Sequence, residues 1–212
     1  VLRMKLWNFT VQLSYALKRV LDILLAGLML ICLFPLMVLI ALLIRLTSPG
    51  PVFFVQTRVG RFGRHFRFYK FRSMYMDAEK RKSELLERNE SAGGVIFKMR
   101  NDPRITPVGR ILRKTSTDEL PQVFNGLLGD MTRVGPRPPL PREVMEYSLE
   151  DRKRLNVMPG LTCLWQISGR SDIPFNRQVE LDKEYIHSHG IRKDLVILLK
   201  TVPAILTGRG AY

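Results

Sequence analysis

The sequence predicts an α/β, mostly helical membrane domain, and three observations carry this expectation. Residues 20–44 are apolar throughout apart from Asp22, and they hold one proline, Pro35. Downstream, two short extended segments precede several stretches of helical periodicity. No strand–helix alternation is long enough for a doubly wound sheet. Across 212 residues the chain carries 34 Lys plus Arg against 19 Asp plus Glu, a net charge of +15. That surplus calls for an anionic partner: nucleic acid, anionic lipid or a phosphorylated substrate. The length suffices for one domain with a real core.

The membrane segment comes first in the chain. At about 1.5 Å per residue, residues 20–44 are long enough to cross a hydrocarbon core of ~30 Å. Both faces are apolar, which argues against a buried core helix. The run is too long for a signal peptide and ends without a small-residue cleavage site. Basic residues flank both ends: Arg3, Lys5, Lys18 and Arg19 before it, Arg45 and Arg58 after it. Positive charge on both sides favours both ends at the cytoplasmic face. Pro35 removes an N–H, crowds the preceding turn and pushes Phe34 away from helical geometry. The expectation is a re-entrant helix–break–helix with its break at Phe34-Pro35, against the alternative of a kinked single span. Residues 1–46 form this unit and residues 47–212 a domain at the cytoplasmic face. The chain opens on Val1 rather than Met, which leaves room for residues upstream.

Residues 47–51 (TSPGP) break the apolar run, and residues 51–59 and 66–72 read as extended segments. Arg58, Arg61, Arg64, Arg67 and Lys70 recur at every third position among Phe62, Phe66, Phe68, Tyr69 and Phe71. Beside a membrane helix this pattern suits an interfacial belt on anionic lipid, each cation contributing about 1 kcal/mol. A stacking platform for single-stranded nucleic acid is the rival reading, and a solvated basic loop the plain one. Residues 74–90 form a charge-laced helix pattern ended by Ser91-Ala-Gly-Gly94. Residues 106–114 start a basic helix with Pro107 in its first turn, and residues 142–154 form another. Residues 159–170 read as a turn, a buried strand and a second glycine turn. Residues 176–189 and 194–206 are helical patterns, the second amphipathic enough to lie on a bilayer with Lys200 on its polar side. Cys32 and Cys163 sit in unlike settings, and His65, His187 and His189 form no cluster with them. Neither a disulfide framework nor structural zinc is expected, and His187 and His189 read as a wet helix surface.

The densest chemistry lies in residues 114–138. Asp118 and Glu119 precede a short apolar run, and Gly135-Pro136-Arg137-Pro138 is a stiff turn that presents one arginine. A carboxylate can attack phosphorus or hold a metal, and an arginine can grip phosphate oxygens bidentately, so the pairing suits phosphoryl transfer. Residues 116–119 (STDE) also read as a capping box, but with Ser116 as N-cap Pro121 falls inside the helix. With Asp118 as N-cap, Pro121 falls third, where the N–H has no helical partner. This places Asp118 at a helix N-terminus whose partial positive charge keeps it ionised. Two adjacent carboxylates suit magnesium with a phosphate substrate. Cations surround the pair in sequence: Lys98, Arg100, Arg104, Arg110, Arg113, Lys114, Arg133 and Arg137. A purely structural turn at residues 135–138 stays open.

Many further motifs follow one another in order: Lys18-Arg19-x-x-Asp22, Pro35, Tyr69-Lys-Phe-Arg-Ser-Met74, Asn101-Asp-Pro-Arg-Ile-Thr-Pro-Val-Gly109 and Leu112-Arg113. Then come Asp118-Glu-Leu-Pro-Gln122, Gly129-Asp-Met131, Val134-Gly-Pro-Arg-Pro138, Pro159-Gly-Leu-Thr162, Trp165-Gln166 and Ser168-Gly-Arg170. With these, the chain from about residue 16 onward resembles the bacterial sugar transferases, the monotopic polyprenyl-phosphate phosphoglycosyl transferases. The resemblance implies a compact monotopic membrane domain with a re-entrant membrane helix and amphipathic interfacial helices on one leaflet. The place is the cytoplasmic face of the bacterial inner membrane. The implied reaction moves a sugar 1-phosphate, glucose or galactose, from a UDP-sugar to undecaprenyl phosphate and releases UMP, as the first membrane step of exopolysaccharide or O-antigen synthesis. By the same matching Asp118 attacks the β-phosphorus to give an aspartyl–phosphosugar. Glu119 assists as metal partner or base, and Mg2+, held at Asp118 and Glu119, neutralises the diphosphate. Lys70, Arg113 and Arg137 match positions near the phosphates, and Arg170 faces the nucleotide. Two departures stand out: Thr132-Arg133 replaces the commoner Ser-Leu, and Cys163 stands where glycine is common. Glucose- and galactose-using members often carry extra membrane helices upstream, so this chain is expected to be a short member or a shortened one.

The expected partners are a UDP-sugar, undecaprenyl phosphate and anionic membrane lipid, with no nucleic acid and with a homodimer left open. Two readings compete. A non-catalytic basic membrane-surface module of a polysaccharide assembly complex would bind lipid with steep salt dependence and no nucleotide. A membrane-anchored nucleic-acid binder would leave the acidic pair and the 135–138 turn without a purpose.

Overall fold

The computed structural model describes residues 2–90, 97, 99–188, 190–208 and 210, and side chains from residue 19 onward except that of Ser171. The expectations at residues 91–94, Lys98 and His189 lie outside the described residues. The chain is mostly helical with two small sheets. Helix α1 (Leu2–Thr47) is followed by β1 (Phe53–Val59) and β2 (His65–Phe71), then α2 (Ala78–Glu84), α3 (Pro107–Lys114) and α4 (Gln122–Leu128). Strand β3 (Thr132–Val134) leads to α5 (Pro141–Met145) and α6 (Leu149–Arg152), and β4 (Gly160–Thr162) to α7 (Leu164–Ser168). Helices α8 (Phe175–Ser188) and α9 (Ile191–Thr207) complete the order. Strands β1 and β2 form an antiparallel hairpin paired from Phe53↔Phe71 to Val59↔His65, and β3 and β4 pair in parallel.

Helix α1 corrects one expectation. It continues through Phe34-Pro35 without interruption, so no break in secondary structure forms there. Proline deletes one rung of the ladder, and the remaining bonds of a long apolar helix carry it past that point. The stretch Arg19–Thr47 has a mean hydropathy of 3.0 and is long and apolar enough to cross a membrane. One stripe of it is covered: Asp22, Ala26, Met37, Ile40 and Ile44 are buried, and Leu30 and Ala41 pack beside them. The spacing is that of a single helix face. Outside this stripe Leu24, Ile31, Phe34 and Leu46 are exposed.

The covered stripe is pinned at both ends to the rest of the chain. Met37, Ile40 and Ile44 share a core with Phe71 of β2 and Leu112 of α3. At the other end Arg19 donates to the carbonyls of Gly126 and Leu127 at 2.6 and 2.7 Å, at the C-terminus of α4 where the helix turns its carbonyls outward. Asp22 accepts from Thr132 Oγ1 at 2.8 Å and Arg133 Nε at 2.6 Å. The one charge inside the apolar run is therefore an anchor to β3. Asp22→Ala is expected to cost about 2 kcal/mol, because it leaves a buried hydroxyl and a half-buried guanidinium unpaired. Chemical denaturation of the micelle-bound protein reads this as an earlier midpoint.

Three other expectations are redrawn. The helix expected over 74–90 is reduced to α2 and a 3-10 turn at Leu86–Arg88; neither buries a residue, so no core face sustains a longer helix. The helix expected over 142–154 splits, because Ser148 caps a new start by accepting from Asp151 N at 3.2 Å. The strand expected within 159–170 ends at Thr162, where β3 runs out, and α7 follows, burying Trp165. Two close contacts lock the region. Asn125, wholly buried, accepts from Tyr69 N at 3.2 Å and donates to Arg67 O at 2.6 Å, pairing with the free edge of β2. Gly160 N donates to Pro136 O at 3.0 Å, and a Cβ on Gly160 would overlap the backbone of Gly135. Gly160→Ala is therefore expected to cost more than ~3 kcal/mol, seen as loss of a cooperative thermal transition.

Candidate active site

The antiparallel register decides which hairpin side chains reach the site. Opposed residues share a face, so Phe54, Gln56 and Arg58 stand on the side of Lys70, Phe68 and Phe66. Phe66 and Phe68 bury themselves against Met131, while Lys70 and Arg58 line a cavity of about 760 Å3. Two of the five cations expected in a lipid belt over 58–70 are thus placed elsewhere. The strand period of two turns Arg58 and Lys70 inward, leaving Arg64 and Arg67 outside. Arg58 donates to Pro138 O at 2.9 Å, and burial, helped by Arg137, pushes its pKa down to about 10.

Asp118 and Glu119 lie in a 3-10 turn (Thr117–Glu119) entered through Ser116, whose φ is +55°. Pro121, not Asp118, caps α4. The proline ends one tight turn and opens the next, so the expected N-cap role of Asp118 is not realised. Its expected electrostatics change too. Asp118 is buried, and desolvation raises its pKa, Lys70 opposing and the adjacent Glu119 reinforcing the shift. Glu119 is the fully ionised partner. Burial alone would raise its pKa, but Lys70 Nζ at 2.6 Å and Arg137 Nη1 at 3.1 Å hold it well below the carboxylate range. Lys70 Nζ also lies 3.7 Å from Asp118 Oδ2. Burial lowers the Lys70 pKa against the pull of both carboxylates, whereas Glu119 keeps Arg137 raised despite burial.

The 135–138 turn delivers Arg137 because Gly135 N donates to Thr162 O at 3.0 Å, fixing where the turn leaves β3. Arg113, in the last turn of α3, donates from Nε to Ser73 Oγ at 2.9 Å. Arg170 has φ +54° and a buried Nη1 with no hydrogen-bond partner among the described residues. Asp118, Glu119, Lys70, Arg113, Arg137 and Arg170 all line the one cavity. Phe34 and Pro35 do not. Of the cations expected around the pair, Arg104 is committed to Asp102 through bonds of 2.6 to 3.1 Å. Arg133 is committed to Asp22, and Arg100, Arg110 and Lys114 do not line the cavity.

Sequence reasoning missed Arg58 and Arg154. The i, i+2 alternation through β1 carries a signal for the first. Arg154 carried none: it is buried against Asp182 and donates to Tyr147 Oη at 2.8 Å, contacts that depend on the distant α8. Burial pushes the Asp182 pKa up to about 6.

Magnesium can be tested against these donors. Asp118 and Glu119 supply hard carboxylate oxygens of the right kind, but Glu119 is engaged by two cations. Among the described residues no group of three or more His, Cys, Asp or Glu side chains could hold a metal. The pair fits magnesium only when substrate phosphates complete the shell.

Fold and cavity together define a helical domain with one long apolar helix and a cation-lined acidic pair, equipped to handle phosphate. A family model described as bacterial sugar transferase matches residues 13–208, and the chain belongs to that family. It is 52% identical over 163 residues to "Galactosyl transferase CpsE" of Streptococcus agalactiae serotype III, covering 76% of this chain and 36% of that protein. It is 43% identical over 209 residues to "Undecaprenyl-phosphate galactose phosphotransferase" of Salmonella typhimurium, covering 97% and 44%. It is 41% identical over 203 residues to "UDP-glucose:undecaprenyl-phosphate glucose-1-phosphate transferase" of Caulobacter vibrioides, covering 92% and 72%. The chain thus spans less than half the length of the first two.

Proposed function

We propose that this protein transfers a hexose 1-phosphate, glucose or galactose, from a UDP-sugar to undecaprenyl phosphate and releases UMP. The observation that carries this reading is the division of labour in the acidic pair. Glu119 is gripped at 2.6 and 3.1 Å by Lys70 and Arg137, while Asp118, with one cation at 3.7 Å, is the less neutralised carboxylate in the same cavity. A carboxylate with a raised pKa is the better nucleophile once ionised.

In the first step an Asp118 oxygen forms a bond to the β-phosphorus. The bond from that phosphorus to the bridging oxygen breaks, and UMP leaves with the electron pair. In the second, a phosphate oxygen of undecaprenyl phosphate bonds to the same phosphorus, and the Asp118 carboxylate departs with its electrons. Lys70 and Arg137 steady the oxygens that gain charge, and Arg113 and Arg170 extend the grip along the diphosphate. Asp118 and Glu119 would hold magnesium, whose charge would offset that of the diphosphate.

The setting is one leaflet, at the cytoplasmic face of the inner membrane. Asp22 and Ile44 pack against the same domain that holds the pair. A helix crossing a bilayer would carry one end away from that domain. The exposed apolar sides of α1 and α9, Leu24, Ile31, Leu199 and Leu206 among them, suit lipid rather than water.

Intact-mass measurement of the protein incubated with UDP-glucose or UDP-galactose and magnesium, without acceptor, tests this. One phosphohexose adduct per chain, chased by undecaprenyl phosphate, is the expected result. No adduct and no UMP with either sugar would overturn the reading.

A further inference from the structure

The lining of the cavity around Asp118 is chemically mixed: it includes Arg137, Arg154 and Arg170, and also Phe53, Phe54, Val55 and Met76. Phe54 stands on the Lys70 face of the hairpin, Phe53 and Val55 on the opposite face. Phe54 and Met76 are 47 and 62% exposed, a costly arrangement in water and a useful one for an apolar ligand. Phe54 is the cross-strand partner of Lys70, so its ring stands on the face of the ammonium that contacts both Asp118 and Glu119.

The apolar part of the lining continues toward the end of α1. Arg72 Nη1 donates to Pro49 O at 2.7 Å and reaches Met76 Sδ at 3.2 Å. Val52 packs against the core cluster that holds Met37, Ile40 and Ile44, and Leu42, Leu43 and Leu46 on α1 are exposed. The cavity lining thus joins exposed apolar side chains, beginning at Pro51 just past α1, to the cations at the acidic pair. A UDP-sugar has no apolar group to lay along it. A phosphate carried on a long hydrocarbon matches it end to end, with the anion at Lys70 and the chain leaving toward α1.

We propose that Phe54 and Met76 form the subsite for the first isoprene units of the lipid phosphate acceptor. This rests on the phosphoglycosyl-transfer reading. Phe54 sets the depth at which the acceptor phosphate sits, because it is the apolar residue paired with Lys70. The rest of the chain stays in the bilayer along the C-terminal end of α1.

The test uses the full chain in detergent micelles. Phe54→Ser is expected to raise the KM for undecaprenyl phosphate about tenfold, with the KM for the UDP-sugar within twofold and Phe54→Leu recovering most of the loss. A polyprenyl phosphate with a photoreactive group in its first isoprene units is expected to crosslink within residues 53–76. Crosslinks confined elsewhere, or an unchanged acceptor KM, would overturn the proposal. So would a defect that appears only as weaker co-sedimentation with phosphatidylglycerol vesicles, since the wall would then be plain membrane contact. The crosslink needs no turnover. A native protein that crosslinks there but forms no phosphohexose adduct would sink the transfer reading and leave the lipid subsite standing.

Discussion

Asp118→Asn is expected to abolish the phosphohexose adduct and to lower UMP release by at least ~10^3-fold, the scale of removing a covalent nucleophile. The substitution keeps shape and removes charge, so a loss of activity reports chemistry rather than collapse. Stability gives an independent check with the opposite sign. Burial raises the Asp118 pKa in the fold above its unfolded value. A proton on this group therefore favours the folded state. Its contribution is fully present below the unfolded pKa and is lost as pH rises through the folded one. At neutral pH the ionised side chain is a net cost, and the asparagine protein should melt at the same or a higher temperature. An inactive protein that is not less stable is the pattern of a site tuned for reaction at the expense of stability. The pH profile follows from the same cause. Activity needs the carboxylate, so the acid limb of kcat/KM in the native enzyme should lie above the ordinary aspartate range of about 3.9. A first step that proceeds normally in Asp118→Asn, or an acid limb below that range, would remove Asp118 from the nucleophile's role.

How much of this was legible in the sequence depends on the range of the contacts involved. Lys70, Arg113 and Arg137 could be grouped with the acidic pair by motif, and the structure brings them to one cavity. The two strands of the hairpin, though not their pairing, and α3, α8 and α9 were legible to within a few residues because each has a strong local period or cap. Thr106, for example, accepts from Gly109 N at 2.9 Å with Pro107 behind it. The failures share a cause. Asp118 was expected at an α-helix N-terminus because Pro121 excludes a helix through residues 116–121. The same proline is equally content as the N-cap of α4 after a 3-10 turn, and only the left-handed Ser116 distinguishes the two. Arg133 and Arg104 looked like free cations because their partners, Asp22 and Asp102, are set by tertiary packing. Pro35 looked like a helix breaker because the local penalty is real, yet packing on Phe71 and Leu112 holds the helix beyond it.

Arg137→Ala carries the second large effect, an expected fall in kcat/KM of about 10^2 to 10^3-fold, the scale of deleting one preorganised donor to a developing negative charge. The geometry separates this residue from its neighbour Lys70. Arg137 is delivered by a backbone turn locked to β4 through Gly135 and Gly160 and contacts Glu119 alone of the pair. Lys70 touches both carboxylates and exerts the largest opposing pull on the Asp118 pKa. Removing Arg137 should therefore cost rate with little movement of the acid limb. Lys70→Met should cost rate and also shift that limb upward, since the raised Asp118 loses its main counterweight. Arg137→Lys should recover only part of the loss, because a point charge cannot reproduce the planar fork that grips two phosphate oxygens. Steady-state rates across pH for these three proteins decide the matter. Equal upward shifts in Arg137→Ala and Lys70→Met would mean that the two cations act as one undifferentiated field. Full rescue by lysine would mean that Arg137 supplies charge alone and that the stiff 135–138 turn has no part in aiming it.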